Sequence, residues 1–313
     1  MEETNCNLCG ANDTELVYVE KDRLMKLPGS FRLVRCRRCG LLYLNPRPTP
    51  DEIGYYYPEH YGPYNVTPEE EPSWIDRLDH DYGNWKRARL IRPIYPHGGR
   101  ILDIGCATGN FLHMMRRLGS WELYGLDISP AATKYARERC GVNTFTGELA
   151  DAGYPDTHFD VVTMWDVMEH VYDPTSTMIE VRRILKPAGL FLVRVPNVAT
   201  WDARLFGGYW GGYDAPRHLY VFSPETFRGL LQKAGFQVKR MRSLVLSYHP
   251  FALSMGFWLD EKLRDGTIKS ALLTLNNSRL PRVLTLPVFS VLRFFNTTFA
   301  MTVFATKEGT RSG

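Results

Sequence analysis

Residues 101–109 read Ile-Leu-Asp-Ile-Gly-Cys-Ala-Thr-Gly, and Asp127 follows at the end of the next apolar run. A short apolar run that ends in a glycine turn predicts a buried strand leading into a helix. Glycines let the backbone approach a ligand closely, and the first turn of a helix offers unpaired N–H groups. Asp127 is placed to accept hydrogen bonds from a ribose diol. The stretch therefore predicts a ligand-binding βαβ unit, with an ordinary buried βαβ turn as the alternative.

The glycine turn is not of the phosphate-binding kind, which requires Gly-x-Gly-x-x-Gly. Here the glycines are Gly105 and Gly109, and Asp103 stands just before them. A carboxylate at this place repels a pyrophosphate but suits a cationic ligand with an ammonium group. The pattern resembles motif I of the class I S-adenosylmethionine-dependent methyltransferases. The resemblance implies that residues 105–109 pack against the methionine part of the cofactor and that Asp127 holds the ribose.

The resemblance to this family continues in register beyond the turn. Residues 142–148 are similar to its third strand and loop, residues 159–170 to its fourth, and residues 190–197 to its fifth. Glu148 stands where the family often has an acidic contact to the adenine. The resemblance thus implies a set of residues that bind S-adenosylmethionine, namely Asp103, Gly105, Cys106, Ala107, Gly109, Asp127, Ile128, Glu148, Leu149 and Trp165.

Four of the six cysteines fall in two Cys-x-x-Cys-Gly knuckles near the N-terminus. They are Cys6, Cys9, Cys36 and Cys39. Two such knuckles are typical of a zinc site. Four thiolates leave no open coordination position, so the pattern favours structural zinc over catalytic zinc or a redox pair. The interval between the knuckles can hold a short β-hairpin.

Composition and charge narrow the class of protein. The 313-residue chain can bury a large core and hold more than one structural unit. Its formal net charge of +4 is mild and gives no case for a nucleic-acid-binding protein. The first residues lack the basic and apolar regions of a signal peptide. We therefore expect a cytoplasmic protein with reduced cysteines.

The predicted fold class is α/β, with a seven-stranded Rossmann-like class I methyltransferase sheet. The family resemblance implies the strand order 3-2-1-4-5-7-6, with the seventh strand antiparallel. We expect a zinc-ribbon-like module over 1–45, an aromatic and Pro-rich linker with a leading helix over 46–84, and the methyltransferase domain over 85–307. No internal repeat is visible.

An apolar insertion occupies residues 244–296, near the C-terminus of the predicted domain. Pro281, Pro287 and Arg293 interrupt it, so no stretch is long enough for a transmembrane helix. One interpretation is a helical segment that caps the active site or forms a dimer contact. The other is an interfacial membrane face, because basic residues flank the apolar ones. The second interpretation would place the protein at the inner membrane face, and the sequence leaves the oligomeric state open.

Methyl transfer from a sulfonium donor needs alignment above all, and a general base helps when the acceptor is a hydroxyl or an acidic carbon. Histidine suits this task at neutral pH. His170 follows the fourth strand and His218 follows the fifth, where open α/β sheets bind ligands. Either histidine is a candidate base, or a loop-packing residue. Glu169 could orient a histidine or pair with a basic residue.

The segment around His218 carries further candidates for acceptor binding. Residues 207–212 contain four glycines, which would let the loop close over an acceptor. Arg217 could hold an acceptor phosphate. The nearby aromatic side chains predict either a stacking wall or a hydrophobic lid; they are Trp201, Tyr209, Trp210 and Tyr213.

Taken from end to end, the chain resembles the zinc-module methyltransferases found with bacterial polysaccharide and sugar biosynthesis. The knuckles, Asn45-Pro-Arg-Pro48, motif I, Glu169-His170-Val171 and Pro216-Arg-His-Leu219 carry the resemblance. It implies a glycan, sugar-nucleotide or lipid-linked acceptor and leaves O-, N- or C-methylation open. The alternatives are an RNA methyltransferase that grips RNA with the zinc module, a phenol- or quinone-type O-methyltransferase, and an inactive cofactor-binding scaffold.

Overall fold

The computed structural model describes residues 1–58, 74–244, 248–295 and 297–309. The linker stretch 59–73 therefore lies outside the described residues. The strands are β1 (Thr14–Glu20), β2 (Phe31–Cys36), β3 (Leu42–Leu44), β4 (Gly98–Ile104), β5 (Ser120–Asp127), β6 (Asn143–Thr146), β7 (Phe159–Trp165), β8 (Leu185–Pro196), β9 (Tyr220–Val221), β10 (Phe236–Arg242) and β11 (Ala300–Lys307). The α-helices are α1 (Pro50–Ile53), α2 (Trp74–Ile91), α3 (Asn110–Arg116), α4 (Pro130–Cys140), α5 (Pro174–Ile184), α6 (Trp201–Phe206), α7 (Pro224–Lys233), α8 (Tyr248–Lys262), α9 (Thr267–Asn277) and α10 (Arg279–Phe294).

Seven strands form one sheet in the order β10-β11-β8-β7-β4-β5-β6. The five from β8 to β6 pair in parallel, whereas β11 runs antiparallel to both β8 and β10. When only the strands of this sheet are numbered, in chain order from β4, the order is the predicted 3-2-1-4-5-7-6. The class I methyltransferase sheet is confirmed. The carboxyl ends of the parallel strands meet at one edge, where open sheets bind ligands.

Local signals set the helices that follow these strands. Helix α4 begins at Ser129, whose side chain accepts from the Ala132 N–H, and it ends at Gly141 in the left-handed conformation. Helix α5 begins at Asp173, whose side chain accepts from the Ser176 N–H. Each cap fixes where the preceding loop stops and therefore how the loop sits at the ligand-binding edge.

A second, four-stranded sheet has the order β1-β2-β3-β9. Strands β1 and β2 form the hairpin predicted between the cysteine knuckles. Strand β9 comes from far outside the predicted module: Leu42 pairs with Val221 and Tyr43 with Tyr220. The N-terminal module thus shares a sheet with the loop that follows β8.

The described part of the 244–296 insertion forms helices α8, α9 and α10. Helix α8 packs on the loop after β8, where the Ser254 hydroxyl accepts from the Gly211 N–H at 2.9 Å. Phe251 of α8 contacts Phe289 of α10, with ring centroids 5.7 Å apart. None of the helices in the described ranges is both long and apolar enough to cross a membrane.

Candidate active site

The turn between β4 and α3 is built around two glycines with positive φ, Gly105 (74°) and Gly109 (79°). A Cβ on Gly105 would lie 2.3 Å from a methyl carbon of Val167, so only glycine fits there. A Cβ on Gly109 would lie 2.9 Å from the Ala136 Cβ. The first glycine therefore brings the turn against the loop after β7, and the second allows α3 and α4 to pack closely.

Asp127 ends β5 and ties the turn to the next strand. Its Oδ2 accepts from the Ala107 N–H at 2.8 Å and its Oδ1 from the Ser129 N–H at 2.9 Å. Each carboxylate oxygen keeps a further lone pair for a ligand hydroxyl. Burial raises the pKa of Asp127, and the backbone N–H groups oppose that shift.

The turn opens into a cavity of about 1110 Å³ at the carboxyl edge of the sheet. This volume is at the upper limit of small-molecule sites. Nine of the ten residues predicted to bind the cofactor line it: Asp103, Gly105, Cys106, Ala107, Asp127, Ile128, Glu148, Leu149 and Trp165. Gly109 does not line it and serves the helix packing described above.

Asp103 lies at the end of β4 with only 2% of its surface exposed. Burial raises its pKa to about 7, although the Thr163 hydroxyl, which donates to Oδ1 at 2.6 Å, opposes the shift. A carboxyl in this state changes to the charged form when a cation is brought close. The buried Asp103 carboxyl therefore suits the ammonium group of the methionine part, as expected from the sequence.

Arg87, on helix α2, was not among the cofactor-binding residues expected from the sequence. Arg87 lines the cavity with Asp103 and its guanidinium lies 5.2 Å from the Trp165 ring centroid. Burial, and then the like charge of Arg194, lower its pKa to about 9. Within the described ranges it forms no ion pair. A partly buried guanidinium in this state is suited to bind a carboxylate ligand.

His170 and His218 face each other across the cavity wall, with ring centroids 4.7 Å apart. The Nδ1 of His170 lies 3.0 Å from the Arg217 carbonyl oxygen, and the Nδ1 of His218 lies 2.8 Å from the Gly212 carbonyl oxygen. A carbonyl only accepts, so in each neutral ring Nδ1 carries the proton and Nε2 keeps a lone pair. Burial and the charge of His218 lower the pKa of His170 to about 3. His170 is therefore a neutral and weakly basic neighbour of His218.

Glu169 also faces the cavity and is fully buried. Neither carboxyl oxygen has a hydrogen-bond partner within the part of the chain that the structure describes. Burial, and then the charge of Asp166, raise its pKa well above the usual range. Of the two roles expected for Glu169, pairing with a basic residue is not seen among the described residues, where Arg194 binds Asp166. Ligand atoms of Glu169, His170 and His218 lie within 4.8 Å of one another, a spacing that a cation would also fit.

The loop that carries His218 is packed, contrary to the expectation that its glycines let it close. Gly211, Gly212 and Trp210 are buried, and Tyr213 is 6% exposed, so Trp210 and Tyr213 belong to the core rather than to a stacking wall. Arg217 is completely buried. It forms a bidentate pair with Asp22, at 2.9 and 2.7 Å, and also binds Asp214. The predicted role of Arg217 in holding an acceptor phosphate is therefore wrong.

The four cysteines of the knuckles come together at the base of the second sheet. Their sulfur atoms lie within 4.8 Å of one another, and the Cys6–Cys39 and Cys9–Cys36 distances are 3.4 and 3.5 Å. These separations approach the edge of a Zn–thiolate tetrahedron, about 3.8 Å for bonds of about 2.3 Å. Each knuckle is closed by an N–H···O bond, Gly10 to Cys6 and Gly40 to Cys36. The four thiols are free and share a geometry that fits one zinc ion.

Comparison with known proteins supports the methyltransferase fold that the glycine turn and the strand order indicate. A sequence profile described as a methyltransferase domain matches residues 80–240, which is more than half of the chain. The chain belongs to this methyltransferase family. It is an enzyme that uses S-adenosylmethionine as methyl donor, with the class I fold.

Two relatives of this methyltransferase are named for ubiquinone biosynthesis and for a hydroquinone substrate. A ubiquinone biosynthesis O-methyltransferase of Cereibacter sphaeroides is 28% identical over 201 residues, covering 60% of this chain and 80% of the relative. A 2-methyl-6-phytyl-1,4-hydroquinone methyltransferase of Oryza sativa is 27% identical, covering 58% of each chain.

The fold also matches a solved structure. A chain in the complex between the Haloferax volcanii Trm112 methyltransferase activator and a methyltransferase has a TM-score of 0.50 at 19% identity. The match covers 74% of this chain and 94% of that one. At this identity the likeness supports the fold alone.

Proposed function

We propose that this methyltransferase transfers a methyl group to a hydroxyl of a glycan, sugar-nucleotide or lipid-linked acceptor. The observation that carries the proposal is that one cavity is lined by the Asp103–Ala107 turn and by His218, whose unprotonated Nε2 can accept a hydroxyl proton. The cavity is large enough for the donor and an acceptor together. We propose a sugar-containing acceptor because the chain resembles the sugar-pathway methyltransferases from end to end.

In this proposal the cofactor is held by charge and by hydrogen bonds. Asp103 binds the ammonium group of the methionine part, Arg87 its carboxylate and Asp127 the ribose diol. Glu148 and Leu149 contact the adenine, while Trp165 covers the methionine part. The donor is already activated, so the chain's own task is to align it with the acceptor oxygen and to remove the proton.

We expect Asp127→Ala to weaken S-adenosylmethionine binding by about 1.5–3 kcal/mol, as for a lost charge-assisted hydrogen bond. Isothermal titration calorimetry measures the change, and thermal unfolding checks that the turn survives. Glu122→Ala is the matched control, because Glu122 lies on the same strand but pairs with Arg100 at the surface. Equal affinity in all three proteins would remove Asp127 from the cofactor site.

The domain division remains part of the proposal, with a zinc module over 1–45, a linker over 46–84 and the methyltransferase domain over 85–307. The four cysteines are assigned to one structural zinc ion. Burial raises the pKa of Cys6 to about 11, so without a cation its thiolate would be unfavourable at neutral pH. A metal ion bound by all four would couple the module to strand β9, which carries the chain away from His218.

We expect about one equivalent of zinc per chain, lost in Cys36→Ser and kept in Cys140→Ser. Cys140 is buried in the methyltransferase core, so it controls for the loss of a thiol. Because β9 pairs with β3, loss of zinc should also speed amide hydrogen exchange at residues 219–222. Elemental analysis and exchange measurements test both points. A metal-free protein with an unchanged, protected β9 would contradict the assignment.

The acceptor is tested by a panel with methyl-labelled S-adenosylmethionine and the full chain. The arms are sugar nucleotides, lipid-linked sugars, catechols with hydroquinones, and structured RNA. We expect label in a sugar-containing arm. Label only in the catechol arm would establish the quinone-type alternative, which the names of the relatives favour. Two of the basic residues of the zinc module, Arg35 and Arg37, pair with Glu15 and Asp13, which reduces the charge that they offer to RNA.

A further inference from the structure

Helices α9 and α10 present an unusual amount of apolar surface to solvent. Ile268 on α9 is 75% exposed, and Leu284 and Phe294 on α10 are 68% and 81% exposed. Exposed apolar side chains on the two helices also include Leu272, Leu275, Leu280, Val283, Leu286, Val288 and Val291. Single exposed apolar residues are ordinary, but a set of this size on two consecutive helices is typical of an interaction surface.

The exposed residues of α10 recur at helical spacing. Leu280, Leu284, Val288 and Val291 are separated by three or four positions, which places them on one side of the helix. The other side is anchored by Phe289, which is 4% exposed and contacts Phe251 and Tyr248 of α8. Helix α10 is thus fixed to the protein by one face and has no partner for the other among the described residues.

Helix α2, which an ion pair joins to α10, also exposes apolar and aromatic residues. Trp74, Leu78 and Tyr82 follow one another at intervals of four and are each more than half exposed. Arg282 of α10 binds Asp79 of α2 through both carboxylate oxygens at 2.7 Å, which joins the two helices at this point. Tryptophan and tyrosine are the side chains preferred at the boundary between a bilayer and water.

The sequence of residues 266–307, which includes α9 and α10, has a positive net charge that favours an anionic partner. Residues 266–307 contain no Asp and no Glu but five basic residues, Lys269, Arg279, Arg282, Arg293 and Lys307. Two of these are paired with acidic side chains outside the range, Lys269 with Asp260 and Asp265 and Arg282 with Asp79. Just before the segment, Arg264 is exposed. An apolar face on a segment without acidic residues complements a surface that is apolar inside and negatively charged outside.

We propose that α9, α10 and the exposed face of α2 dock the enzyme onto an anionic lipid bilayer. The helices lie in the plane of the interface, with the apolar side chains inserted among the acyl chains. Pro250 of α8 lines the active-site cavity, and α8 packs directly on α10. The docked face is therefore connected to the acceptor site by a single helix. The proposal concerns where the enzyme sits and does not depend on the acceptor class proposed above.

The test is co-flotation of the full chain with vesicles of phosphatidylcholine and phosphatidylglycerol, compared with phosphatidylcholine alone. We expect binding to the anionic vesicles that weakens as salt is raised. Leu284→Glu and Val291→Glu should each weaken binding by roughly tenfold or more, because each removes an apolar side chain that inserts into the bilayer on docking and adds a charge that the anionic lipids repel. Ile179→Glu, at a 52% exposed site on α5, is the matched control and should bind like wild type.

Each variant is checked by thermal unfolding and by binding of S-adenosylmethionine, so that misfolding is not read as lost docking. Light scattering of the wild-type chain without lipid tests the competing occupant, a second copy. Absence of vesicle binding at low salt would overturn the proposal. A dimer that Leu284→Glu converts to a monomer would overturn it as well.

Discussion

His218→Ala should keep its affinity for S-adenosylmethionine and lose about 10²–10⁴-fold in turnover, the usual contribution of a general base. The ring is fixed by its Nδ1–H, which donates to the Gly212 carbonyl at 2.8 Å, so the basic Nε2 is left for the acceptor. Calorimetry with the cofactor and a single-turnover methylation assay measure the two quantities separately. A parallel loss of cofactor affinity would instead indicate a collapsed pocket.

His170→Ala is the natural control for this prediction, since the two rings are in contact. The Nδ1 of His170 lies 3.0 Å from the Arg217 carbonyl oxygen and 2.9 Å from the Tyr57 hydroxyl. The low pKa of His170 makes it a poor base. We expect a smaller loss that His170→Gln partly restores, because glutamine can still donate to the carbonyl. A larger loss in His170→Ala than in His218→Ala would reverse the roles. If both variants keep full activity, neither histidine belongs in the mechanism.

The cofactor half of the site could be predicted from sequence because its signals are local. Gly105 and Gly109 are needed for backbone geometry, and Asp127 ends the next strand, so each residue's place follows from its neighbours. The order of the sheet strands followed from the family resemblance, and the structure confirms it. The helix caps at Ser129 and Asp173 are local features of the same kind, because capping chemistry acts within one turn.

The acceptor half could not be predicted in the same way, because its geometry depends on distant pairings. Strand β9 has only two residues, Tyr220 and Val221, and no periodicity reveals so short a strand. Its partner, β3, lies in another module. Arg217, in a glycine-rich loop, was expected at the surface, as arginines usually are. It is buried because it pairs with Asp22, and no local sequence pattern connects these two residues.

Arg87 was missed for a related reason. Helix α2 has many charged residues along its length, so the sequence gives no sign of which one enters the cavity. The structure selects Arg87 by placing it over Trp165 and beside Asp103. A cation that enters a site from a preceding helix is visible only once that helix is packed on the sheet.

Arg217→Met should lower the free energy of unfolding by about 3–5 kcal/mol, the cost of removing one partner of a buried ion pair. The change leaves Asp22 and Asp214 close together without their common cation. Burial by itself would lower the pKa of Arg217, but its hydrogen bonds to the two carboxylates raise it, so the arginine is charged in the folded protein. Urea unfolding followed by fluorescence measures the loss.

The matched control is Arg183→Met, because Arg183 also pairs with two carboxylates, Glu180 and Asp156, but is 37% exposed. Solvent screens such a pair, so we expect a change of about 0–1 kcal/mol. Arg217 also joins the N-terminal module, through Asp22, to the loop that carries His218. The Arg217→Met variant should therefore lose turnover more than cofactor affinity, even at temperatures where it remains folded. Equal stability of the two variants would show that the buried network does not hold the loop. Full activity of folded Arg217→Met would show that the position of His218 does not depend on the buried ion pair.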